Sequence, residues 1–230
     1  MNRNLLSAKK MAQFVASGYL RLECMVPKVQ GLIRSLVGPN PLYNHHGPHI
    51  TPTCQLRGPD THQDSVIDFR EDYFDIQLSL FADDTPDEMG RTLLMPRMHF
   101  RNVQTSEITV YQHMRGKVWA TCPAGTIYVW NTRVWHGARC NHTDTDHDRY
   151  MYKLCLNSTS PQVRYFDTSD LDDPAIGDIL NTHHGWEGNE HRYKLMQRVK
   201  LWRFVSGQPD YDLGERFLRR IEYNPQFAAV

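Results

Sequence analysis

The chain has 230 residues, 40% hydrophobic and 23% charged, the proportions of an ordinary globular protein. Lysine plus arginine and aspartate plus glutamate number 26 each, so no net charge draws the protein to nucleic acid or to an anionic membrane. No run approaches the roughly 18 apolar residues of a membrane span, and the opening Met1-Asn2-Arg3-Asn4-Leu5-Leu6 lacks a signal-peptide pattern, so a cytoplasmic protein is expected.

In chain order, Ser7 caps a short helix with Met11, Phe14 and Val15 on one face, and Gly18 stops it. Tyr19-Leu20-Arg21-Leu22 then alternates like a strand. From about 48 to 158 short apolar or alternating runs predict strands at 50–56, 75–81, 92–95, 118–121, 126–130 and 150–157. Turn sequences such as Gly58-Pro59-Asp60 and Pro123-Ala124-Gly125 separate them. Many short strands with few helices between them predict a sandwich or barrel. After Pro161 the pattern turns helical, at 174–182, 190–205 and 212–223. Leu195, Val199 and Trp202 share one face of the second of these helices, which predicts packing on the β core or, alternatively, a homodimer interface. The length suits one domain, a β core with a helical extension over about 161–230. Five scattered cysteines (Cys24, Cys54, Cys122, Cys140 and Cys155) include no C-x-x-C spacing and read as reduced residues.

Twelve histidines make metal chemistry worth examining. In Thr61-His62-Gln63-Asp64, residues two apart on an extended segment project to one face, so His62 and Asp64 can address one ion. Alone, H-x-D is a weak signal. The second part is the run from Gly125 to Ala138: a turn glycine, an apolar strand, a polar bend, and then His136 returning beside the first pair. Two histidines and one carboxylate form the facial triad of non-haem Fe(II) oxygenases, which leaves positions open for a chelating 2-oxo acid and dioxygen. A site closed by four protein ligands would instead be structural zinc. Thirteen residues past His136 comes Arg149, whose planar guanidinium suits the distal carboxylate of 2-oxoglutarate. Strand alternation puts Lys153 on the same face, as a competing cation for that role.

With these motifs in place, the chain resembles the phytanoyl-CoA dioxygenase (PhyH-like) family over about residues 5–158. The opening Phe14-Val15-Ala16-Ser17-Gly18-Tyr19-Leu20 resembles the family's start, and Ser79-Leu80-Phe81-Ala82-Asp83-Asp84 its strand with an acidic turn. Met89-Gly90-Arg91-Thr92 through Pro96-Arg97-Met98-His99 resembles its N-G-x-L…P-G-S-H segment, and His136-Gly137 with Asn141 and Arg149 its H-G-S…N…R ending. Arg97-Met98 departs from the usual G-S, the His136–Arg149 interval is about two residues long for the family, and the segment before His62 is short, removing lid sequence. The resemblance implies a mainly β, double-stranded β-helix (jelly-roll, cupin-like) core with helices outside. It also implies Fe(II), 2-oxoglutarate and dioxygen at the mouth of the core, with Gln55 facing the cosubstrate or serving as a plain strand residue. His99 is expected either to line the pocket or to act as a hydrogen-bonding histidine, while His142 and His147 are expected to be solvated.

The function expected is oxidative decarboxylation of 2-oxoglutarate coupled to attack on a C–H bond of a small metabolite. Hydroxylation, ring closure and desaturation all remain open. Asp64 disfavours halogenation, because related halogenases leave that ligand position free for chloride. By family analogy the expected substrate is a natural product or antibiotic, with sugar-containing scaffolds among the candidates. The alternatives are an acyl-CoA or amino-acid hydroxylase, or a barrel that binds a ligand without turnover.

Overall fold

The computed structural model describes residues 4–23, 28–54, 56–64, 73–101, 114–143, 147–182 and 189–213. Ser7 lies in extended backbone with its hydroxyl accepting the amide of Lys10, and this cap opens helix α1, Ala8–Ser17. Gly18, at φ +81°, closes α1 by donating its N–H to the Phe14 carbonyl. Both ends are those expected. The chain continues through β1 (Tyr19–Leu22), α2 (Val29–Val37), β2 (Leu42–Thr51), β3 (Ile76–Phe81), β4 (Thr92–Met95) and β5 (Val118–Trp119). After these come β6 (Thr126–Asn131), β7 (Trp135–Ala138), β8 (Arg149–Asn157), α3 (Ala175–Leu180) and α4 (Asn189–Ser206).

The strands form two antiparallel sheets, of order β1-β6-β3-β8-β2 and β5-β4-β7. This is the expected mainly β, jelly-roll architecture. Alternation divides the larger sheet cleanly. Leu20, Leu22, Ile76, Leu78, Ile127, Val129 and Leu156 point to one side and join α1, α2 and α4 in the main apolar core. Phe81, Tyr128, Trp130 and Met151 point to the other side and meet Leu94, Ala120, Cys122 and Val134. Helices therefore cover one face of the sheet, and the second sheet covers part of the other. The chemistry lies in the space between the sheets.

Several local expectations need correction. The strand expected at 50–56 ends at Thr51 and begins eight residues earlier, at Leu42. It contains Gly47 and Pro48. Among the described residues β2 pairs only with β8, and an edge strand tolerates a proline. Helix α2 was not anticipated, nor was β7, whose Trp135-His136-Gly137-Ala138 is too short and mixed to show alternation. The strand expected at 118–121 is only two residues long.

The helices expected near 174–182 and 190–205 are present, whereas most of the one expected at 212–223 falls outside the described residues. Leu195, Val199 and Trp202 are each no more than 1% exposed, so that face of α4 packs within the chain. Cys54, Cys122, Cys140 and Cys155 are free thiols, and Cys24 lies outside the described residues.

Trp202 is fully buried, in ring contact with Phe166 and Tyr211. Trp202→Ala should destabilise the protein by about 3–5 kcal/mol, measured as a lower urea midpoint with an unchanged slope. A loss below about 1 kcal/mol would mean that α4 contributes little to the core.

Candidate metal centre

The centre is built on one backbone bridge. His62 and His136 exchange both N–H···O bonds, at 2.8 and 2.9 Å, as antiparallel partners. Cross-strand partners project to one face, and the two imidazole centroids stand 4.4 Å apart. So close an approach of two backbones requires small residues. A Cβ on Gly58 would lie 2.3 Å from the Ala138 carbonyl oxygen, and one on Gly137 would lie 3.1 Å from that of Pro59.

The imidazoles are oriented alike. His62 Nδ1 lies 2.7 Å from the Asp60 carbonyl and His136 Nδ1 lies 3.0 Å from the Val134 carbonyl, in each case two residues upstream. A carbonyl can only accept, so each Nδ1 carries a proton; a neutral ring then presents its Nε2 lone pair, whereas a ring protonated on both nitrogens donates Nε2–H to Asp64. Asp64 completes the set, with Oδ1 3.6 Å from His62 Nε2 and Oδ2 3.3 Å from His136 Nε2. One ligand atom from each residue lies within 4.8 Å of the others. Adjacent ligands on an octahedral ion with bonds of about 2.1 Å stand about 3.0 Å apart. The two histidine–Asp64 distances thus need close by only a few tenths of an ångström for those atoms to share one ion. Among the described residues this is the one group of three such side chains so placed.

Gln63, between His62 and Asp64, had no expected role. Its side-chain amide donates to the carbonyls of Arg101 (2.9 Å) and Arg133 (2.6 Å), and the residue is 4% exposed. Asp64 N–H also bonds the Thr132 carbonyl. The 62–64 segment is therefore fixed to the turn that delivers His136.

Electrostatics follow from this packing. Burial alone would raise the Asp64 carboxyl, but hydrogen bonds to His136 and His62 and the charge of Lys153 outweigh it and hold the group far below the usual carboxylate range. The hydrogen bond to Asp64 raises His62 above its ordinary 6.5, with burial opposing. Lys153 Nζ lies 3.1 Å from Asp64 Oδ2 and its side chain is 11% exposed.

A cavity of about 160 Å³ adjoins the triad, lined by His62, His136, Trp130, Met151, Arg149 and Lys153 among others. Arg149 is 4% exposed, donating to Thr51 Oγ1 at 2.7 Å and to the Gly90 carbonyl, and burial pulls its guanidinium down to about 10. Its buried Nε has no hydrogen-bond partner among the described residues. Asn141, fully buried, donates to the Thr51 and His147 carbonyls and so organises the loop leading to Arg149.

The structure thus brings together His62, Asp64, His136, Arg149 and Lys153. Gln55 lies outside the described residues. His142 and His147 are exposed and away from the triad, as expected. His99 does not line the cavity: it is 2% exposed, its Nε2 donates to the Val15 carbonyl, and burial pushes it down to about 3.

Metal binding must expel any proton from His62, so Ni(II) affinity measured by calorimetry should fall as pH drops, starting above 6.5. In the metal-free protein the raised His62 value has the opposite consequence, stabilising the fold below the ordinary histidine value and ceasing to do so as pH rises through the raised one. His136→Ala should cost on the order of 100-fold or more in Ni(II) affinity, beyond the 10–100-fold typical of outer-shell changes. His142→Ala and His147→Ala should leave it unchanged. Equal binding by His136→Ala would rule that residue out as a ligand.

The Phytanoyl-CoA dioxygenase (PhyH) family profile matches residues 2–149. No curated protein matches by sequence. Among solved structures, EctD from S. alaskensis with 2-oxoglutarate and 5-hydroxyectoine aligns at 16% identity and TM-score 0.55, covering 69% of this chain and 78% of that one. The epimerase SnoN in complex with Fe3+, alpha ketoglutarate and nogalamycin RO aligns at 12% identity and TM-score 0.52, covering 66% and 83%. Against EvdMO1 the match is 18% identical at TM-score 0.47 and spans 58% of this chain and 31% of that one. The chain belongs to the phytanoyl-CoA dioxygenase (PhyH) family of iron- and 2-oxoglutarate-dependent dioxygenases.

Proposed function

We propose that residues 1–230 form one oxygenase domain in which His62, Asp64 and His136 hold Fe(II) and Arg149 anchors 2-oxoglutarate. The observation that carries this reading is the pairing, in one cavity, of two upstream-anchored imidazoles with a buried guanidinium that retains an unpartnered Nε. When bound, iron would bring dioxygen, the oxidant, together with 2-oxoglutarate, which would supply two electrons and leave as succinate and carbon dioxide while the other oxygen atom is spent on the substrate. The chain's own residues do the rest. His62 and His136 present Nε2 because their Nδ1 protons are committed to backbone carbonyls. Asp64, ionised by its surroundings, supplies the anionic ligand. Arg149, braced by Thr51 and Gly90, keeps three of its five N–H donors for the distal carboxylate. Trp130 and Met151 give the cavity an apolar wall that limits water near the reacting centre.

The substrate is a small metabolite whose C–H bond is oxidised, with hydroxylation or ring closure as outcome, in natural-product or antibiotic tailoring, a sugar-containing scaffold being one candidate. Support comes from SnoN, a protein of nogalamycin biosynthesis that shares the fold. Four described cysteines without a disulfide fit a reducing cytoplasm. Homodimerisation through the C-terminal helices would have to use a face other than Leu195, Val199 and Trp202, which pack inside the chain.

Iron-dependent succinate release should be detectable in the purified protein. Arg149→Ala should raise KM for 2-oxoglutarate by the equivalent of about 2–5 kcal/mol, the loss expected when one partner of a buried charged pair is truncated. Lys153→Ala should raise it less. An unchanged KM in Arg149→Ala would remove the anchor assignment.

A further inference from the structure

The cavity beside the triad has more positive charge than the metal and cosubstrate need. Its lining includes two cations, Arg149 and Lys153, and no acid. The acid at its edge, Asp64, is the triad's own carboxylate, and in this structure it is the counter-charge of Lys153 at 3.1 Å. Metal loading changes that balance. A divalent ion held by Asp64 takes up the carboxylate's charge and repels an ammonium a few ångströms away. A largely buried ammonium without a counter-charge is costly. The distal carboxylate of 2-oxoglutarate is matched by Arg149, which Thr51 and Gly90 already brace. Lys153 is therefore surplus.

The surroundings of Lys153 open toward solvent on one side. Across the β2–β8 ladder it faces Gly47, where a Cβ would meet nothing within 4 Å. Two residues further along β2 on the same face lies His49, exposed and lining the cavity, and His45 stands 6.4 Å from it, ring to ring. The rim beside the ammonium thus has room for an incoming group, with imidazoles able to hydrogen-bond it.

We infer that the substrate carries an anionic group, a carboxylate or a phosphate, that pairs with Lys153 at the β2 rim of the cavity. This rests on the dioxygenase reading above and narrows its substrate class. It makes Lys153 a specificity residue rather than a second cosubstrate anchor.

The test uses the full-length protein loaded with Ni(II), which binds without turnover, and saturating 2-oxoglutarate. Calorimetry compares benzoate with benzamide, and phenyl phosphate with phenol. At least one acid should bind about tenfold more tightly than its neutral twin, or about 1.4 kcal/mol, and whichever acid does so identifies the anion. That advantage should fall below about threefold in Lys153→Met and persist in Lys153→Arg, as expected for a charge-assisted contact. No acid preference in the wild type overturns the inference, including the case in which no probe binds at millimolar concentration. So does a preference undiminished in Lys153→Met. A tenfold loss of 2-oxoglutarate affinity in Lys153→Met would assign the ammonium to the cosubstrate and also overturn it. Failure of the wild type to bind Ni(II) or 2-oxoglutarate is a separate result, and it would remove the metal-site reading itself.

Discussion

The reciprocal hydrogen bonds between His62 and His136 are the constraint on which the rest of the site depends. They set two imidazoles side by side without any help from the side chains, and the Nδ1 bonds to Asp60 and Val134 then choose which nitrogen faces the ion. Asp64 follows as the residue two positions beyond His62, tethered through its own N–H to Thr132. Each of these three positions thus traces to backbone geometry, which is stiffer than any rotamer. Gln63 strengthens this by spending both N–H donors of its buried amide on carbonyls from two different segments.

The larger sheet divides labour between its faces, and the division is a matter of parity. Residues of one parity on β3, β6 and β8 supply the apolar layer under the helices. Residues of the other parity supply Trp130, Met151, Arg149 and Lys153 to the cavity. A one-residue slip of β8 would bury Tyr150 and Tyr152, now exposed, and expel Arg149. Register is therefore protected by the same burial that stabilises the fold, and the binding residues inherit that protection.

What the sequence revealed follows from this arrangement. His62, Asp64, His136 and Arg149 were legible because short spacings and strand alternation are local properties that survive into the structure. The strands at β3, β4, β6 and β8 were legible because their apolar runs are buried. By contrast, β2 is exposed on nearly all its residues and contains Gly47 and Pro48, so no alternation marks it. Gln63 could not be assigned because its partners lie 38 and 70 positions away. Likewise, alternation put Lys153 on the face of Arg149, but only the folded chain brings Asp64 to its ammonium. His99 looked equally suited to the pocket or to a structural hydrogen bond, and its burial beneath α1 decides for the latter.

The position of β2 has a consequence for the protein's behaviour in concentrated solution. It forms one end of the five-stranded sheet, and such a margin is a template on which a strand from another molecule can assemble. Pro48 removes one amide donor from that margin, and the register shift between Tyr43 and His45 interrupts its regular spacing. Neither feature contributes to the iron site, yet both sit on the strand that forms its rim. Both features make the margin of β2 a poorer template for a strand from another molecule.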